Sequence, residues 1–143
     1  MSELKIIIDR DTIADYMLYY FKLYPLRKKP PITNPIPPSL NQWMVMKRFQ
    51  MNHQKQAWKE FGGWLVIRNG LENRKIEKCQ IVIEYFFEDN RKRDADNYTP
   101  KNLFDAFTKF GLIVDDDFSH VESLTIKGGV DKKNPRAEIT FIY

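Results

Sequence analysis

A single cysteine, Cys79, leaves no room for an internal disulfide or a cysteine-based zinc cluster, and its isolation suits a reducing cytoplasm. Histidine is almost as scarce, since His53 and His120 are the only two and cannot build a multi-histidine metal site. No apolar run approaches the roughly 18 residues that cross a bilayer. The opening MSELKIIIDRD carries acids where a signal peptide would not, so no membrane partner is expected. Charge of one sign is also in short supply: 23 basic against 19 acidic residues give +4, which permits a nucleic-acid partner without demanding one. Low-complexity sequence and internal repeats are absent as well. The remainder, 143 residues that are 43% hydrophobic and 14% aromatic, is enough for one globular unit with a sizeable core.

Taken in order, residues 4–8 form a short apolar run that predicts a strand, with Asp9 and Asp11 as caps for a helix after it. Residues 12–23 are almost continuously apolar and predict that helix, ended by Pro25, its tyrosines reading as core or subunit interface, with a site for base stacking as the alternative. Between Leu26 and Pro38 the composition shifts to Arg27, Lys28, Lys29 and closely spaced prolines, which exclude a regular helix and favour extended structure, with 32–36 as an edge strand. Residues 37–43 read as a polar loop, and 52–69 as a long helix in which Gly62-Gly63 is an anomaly, each glycine costing about 1 kcal/mol relative to alanine. His53, near its start, reads as a surface or capping residue. Residues 79–87, CQIVIEYFF, are β-branched and aromatic and predict a central strand, with Cys79 as a small buried hydrophobe. Residues 119–127 and 137–142 alternate, predicting two strands joined as an antiparallel hairpin through a turn beginning at Gly128-Gly129. The expected fold is α/β or α+β, a mixed sheet packed by helices. Residues 1–30 would be an N-terminal extension of strand plus helix on a main domain at 31–143.

The stretch RKRDADNYTPKNLFDAFTKFGLIVDDD, residues 91–117, carries the chemistry. Arg91, Lys92 and Arg93 run into Asp94 and Asp96, which would face one side of an extended segment and share a hard cation. Thr99 as N-cap and Pro100 as first helical residue open an amphipathic helix through Leu103, Phe104, Phe107 and Phe110, and Gly111 stops it. Asp115, Asp116 and Asp117 come next. Close carboxylates repel one another and a divalent ion relieves that cost, while the neighbouring cations suit a polyanion whose phosphate lies between metal and guanidinium. An EF-hand loop with Asp94, Asp96 and Asp105 at its first, third and twelfth positions fails, because Thr99 stands where glycine is needed and Asp105 where glutamate is usual.

Together, Asp94-Ala95-Asp96-Asn97, Lys101, Leu103-Phe104-Asp105-Ala106-Phe107, Gly111 and Asp115-Asp116 resemble the signature of the RusA family of Holliday-junction resolvases. Upstream, Pro37-Pro38-Ser39-Leu40-Asn41 resembles that family's Pro-Pro-Ser-x-Asn element, so the likeness covers residues 36–143. The resemblance implies a homodimeric, Mg²⁺-dependent endodeoxyribonuclease, with Mn²⁺ as substitute ion, that cuts four-way or other branched DNA in a bacterial or phage-infected cell. It implies Asp94, Asp96 and Asp116 as catalytic acids and metal ligands, Asp115 as a neighbouring ligand, and Lys101 as the essential lysine. Arg91, Lys92, Arg93, Lys101, Asn97 and Asn41 would then contact DNA. One residue more than the simplest family spacing separates Asn97 from Lys101, and an additional residue stands after Asp116. The contrasting expectations are an accessory protein that binds branched DNA without cutting it, and, for Lys101, a surface pair with Asp105.

Overall fold

The computed structural model describes residues 1–143. At its centre lies β2, Cys79–Phe87, whose alternate residues Cys79, Ile81, Ile83 and Tyr85 are buried. Strand β3, Val121–Val130, pairs parallel to one side of it, and β4, Arg136–Ile142, antiparallel to the other. Strand β1, Glu3–Ile8, pairs antiparallel with the far side of β4, giving the order β1-β4-β2-β3 in one mixed sheet.

The expected hairpin between the last two strands does not form. β4 crosses β2 and inserts between it and β1. Burial explains the exchange: Ala137, Ile139 and Phe141 of β4 are all buried and belong in the middle of the sheet, whereas β3 buries only Val121 and belongs at its rim. Gly128-Gly129, expected as turn, continue β3 opposite Tyr85 and Phe86, and the turn begins after Val130.

Helix α1, Arg10–Leu23, starts from a capping box in which the Asp9 carboxylate accepts the Thr12 N–H at 2.9 Å. Its Tyr16 ring meets Phe61 edge-on at 4.9 Å, so Tyr16 and Tyr20 are core, whereas Tyr19 is exposed. The extension therefore shares the core of the main domain, and β1 is further tied to β4 by Lys5–Glu138 at 3.1 Å. Residues 24–38 form no strand. Ile32 and Ile36 are buried, but the prolines around them remove the donors that a ladder needs. The loop expected at 37–43 holds a short helix, α2, Leu40–Met44, because Ser39 and Gln42 close a capping box at 3.2 and 2.9 Å.

Helix α3, Arg48–Arg68, runs unbroken through Gly62-Gly63. A Cβ on Gly62 would lie 2.6 Å from Ala106 Cβ, and one on Gly63 would lie 2.4 Å from the Phe110 ring. Both glycines thus admit α4, Lys101–Lys109, to close approach. Helix α4 starts one residue later than expected, with Pro100 at the cap position and no side-chain cap from Thr99. It ends before Gly111, whose φ of +78° favours glycine. Phe107 of α4 meets Phe141 of β4 at 5.6 Å, closing the core between the helices and one face of the sheet.

Candidate functional site

The crossover from β2 to β3 passes through the basic run, a turn and α4, so the segment richest in charged chemistry is also the connection between the two parallel strands. Beyond Phe87 the chain is pinned by Asp89. Its carboxylate accepts the Arg91 N–H at 3.1 Å and an Arg93 guanidinium N–H at 2.7 Å, and the Arg93 guanidinium, then the Arg91 amide, hold that carboxyl below its usual range. Arg93 also donates to the carbonyls of Asp89 and Arg91, both at 3.1 Å, and lies 4.1 Å over the Phe87 ring. With only 16% of its side chain exposed, Arg93 clamps the turn, while Arg91, at 79%, and Lys92 face solvent.

Asp94 and Asp96 are exposed, and Asp94 has the extended backbone expected of it while Asp96 does not. Asp94 caps a 3-10 turn, Ala95–Asn97, that contains Asp96. Two bonds hold the turn. The Tyr85 hydroxyl donates to the Tyr98 carbonyl at 3.1 Å, and the Asn41 backbone N–H donates to Asn97 Oδ1 at 2.9 Å. Burial, then the neighbouring Tyr98, pushes the Tyr85 phenol upward, keeping it protonated as that donor. The Pro37–Asn41 segment and the Asp94–Asn97 turn, remote in sequence, are thereby in contact.

Lys101 is exposed at the start of α4, and its ammonium forms no ion pair with Asp105 one turn later. Past Gly111, an isolated bridge between Ile76 and Ile113 carries the chain to the second acid group. There the Asp116 carboxyl is raised above its ordinary value, first by desolvation, then by the Asp115 carboxyl, with Asp105 adding further repulsion. Asp105 therefore belongs to this acid group, a role that its sequence position as Lys101's helical neighbour had masked. Asp117 is drawn the other way: His120 Nδ1 lies 2.5 Å from its carboxylate and lowers it. Ligand atoms of Asp115, Asp117 and His120 all fall within 4.8 Å of one another. The i,i+3 spacing of Asp117 and His120 was the available sequence signal for that contact.

Asp94, Asp96 and Asp116 form no such trio. In the chain, Asp94 follows the carboxyl end of β2 and Asp115–Asp117 precede the amino end of β3, where Cys79 pairs with Val121. The oxygen donors are of the type Mg²⁺ prefers, but this arrangement does not gather all three around one ion. No family model matches the chain, and no curated protein matches it.

Proposed function

We propose that the chain is a Mg²⁺-dependent, structure-specific endodeoxyribonuclease that resolves Holliday junctions as a homodimer, in the manner of the RusA family it resembles. The observation that carries this reading is the 2.9 Å bond from the Asn41 N–H to Asn97 Oδ1. It joins the two separate pieces of sequence on which the resemblance rests. The exposed cations Arg91, Lys92 and Lys101 lie on both sides of the Asp94–Asn97 turn in the chain and would hold backbone phosphates, which carry position rather than base identity. Lys101, free of any acidic partner, would balance charge building on the phosphate under attack. Asp94, Asp96 and Asp116, with Asp115 beside them, would hold Mg²⁺, which when bound supplies an activated water and a stabilised leaving oxygen. The repulsion already present at Asp116 is what a cation would relieve.

The lack of a tight Asp94, Asp96 and Asp116 trio favours a second reading, a protein that binds branched DNA without cutting it. Incubation of a synthetic four-way junction with the wild-type protein and Asp96→Asn, with and without Mg²⁺, decides between them. Mg²⁺-dependent symmetric nicking by the wild type, with the variant binding but not cutting, is the expected result. Equal nicking by both proteins would exclude the assigned acids, and junction binding without nicking by either would establish the accessory reading.

A further inference from the structure

A cavity of about 260 Å³ opens beside the first turn of α4. Pro37 and Pro38 form one wall and the half-buried Trp43 another, the buried Trp58 lies behind them, and Lys55 and Lys101 contribute the charge. No carboxylate lines it. Its volume falls below the roughly 300–1,000 Å³ of pockets for drug-sized ligands, which limits it to one small group. Flat indole and proline surfaces accept a π-face of any base, and two ammonium groups without an acid between them complement a phosphate. The cavity also adjoins the acidic turn, because Asn41, just past its Pro-Pro wall, and Asn97, just before its Lys101 side, are bonded to each other. Bases at a strand branch lack full pairing and stacking, so extracting one there costs least.

We propose that this cavity receives one unpaired nucleobase of a branched DNA strand, stacked on Trp43, with the adjoining phosphate between Lys55 and Lys101. The inference rests on the DNA-directed reading of the function but not on cleavage, and it makes Trp43 and Lys55 binding residues for single-stranded segments. The test is metal-free: tryptophan fluorescence is followed in EDTA during titration with a short thymidine oligonucleotide and with an abasic strand of equal length and charge. Stacking of one base on an aromatic ring, worth about 1–3 kcal/mol, predicts binding of the thymidine strand about 5- to 150-fold tighter than the abasic one. Trp43→Ala is expected to bind both strands equally weakly, Trp43→Phe to keep the preference, and Lys55→Ala to weaken both strands alike. Equal affinity of the wild type for the two strands, or a preference that survives Trp43→Ala, would overturn the proposal. Junction cutting in Mg²⁺ is scored separately. Cutting with no base preference overturns the cavity assignment alone, and base preference with no cutting overturns the nuclease reading alone.

Discussion

Asp116 and Arg93 show how differently two charges in one segment are used. Asp116 is crowded by Asp115 and Asp105, and its raised carboxyl means that the folded chain binds that proton more tightly than the unfolded chain does. Stability contributed by the protonated form is therefore lost as pH rises through the carboxylate range. Asp116→Asn should stabilise the fold in metal-free buffer at pH 7, seen as a higher thermal midpoint, by less than about 1 kcal/mol because solvent screens an exposed group. The gain should vanish when the measurement is repeated below pH 4. Arg93, by contrast, is consumed by Asp89, two carbonyls and the Phe87 ring. Chemical denaturation should find Arg93→Ala about 2 kcal/mol less stable, the scale of a lost charged hydrogen-bond set. Arg91→Ala should stay within about 0.5 kcal/mol of wild type and show itself only in a shallower salt dependence of DNA binding. The sequence displayed all three cations as equivalent, because nothing in RKR distinguishes the one that folds back over its own turn.

Among the elements, the helix pair α3 and α4 carries the strongest constraint. Gly62→Ala improves helix propensity by about 1 kcal/mol in isolation, yet here the added methyl would stand 2.6 Å from Ala106 Cβ. Overpacking of that kind typically costs about 1–3 kcal/mol, so urea denaturation should show net destabilisation. Helices and strands were mostly readable from periodicity, and α1, α3, α4 and all four strands lie close to their expected places. Pairing was not readable, since alternation identifies β4 as a strand but cannot say that β2 and β1 will claim both its edges. The S-x-x-Q capping box of α2 was present in Ser39 and Gln42, overshadowed by the prolines before it. The acids of the site were readable as residues. The gathering of Asp115 and Asp117 with His120 was not, because it depends on how the turn before β3 folds.

For the molecule as a whole, the sheet leaves β3 with one unpaired edge, Leu124 and Val130 on that strand are partly exposed, and Phe118 just before it is almost wholly exposed. The proposed homodimer predicts a light-scattering mass of twice the 17.1 kDa chain. A monomer at micromolar concentration would remove the two-site explanation for paired cutting. No helix is long and apolar enough to cross a membrane.

The parallel course of β2 and β3 also governs how the chain reaches its shape. Cys79 pairs with Val121 and Phe87 with Val130, so the two strands meet only after the whole 88–120 crossover, α4 included, has been carried back along the sheet. Pairing at that sequence distance loses loop entropy before any contact offsets it. Assembly of the sheet is therefore the slow step of refolding, and α4 can form well ahead of it.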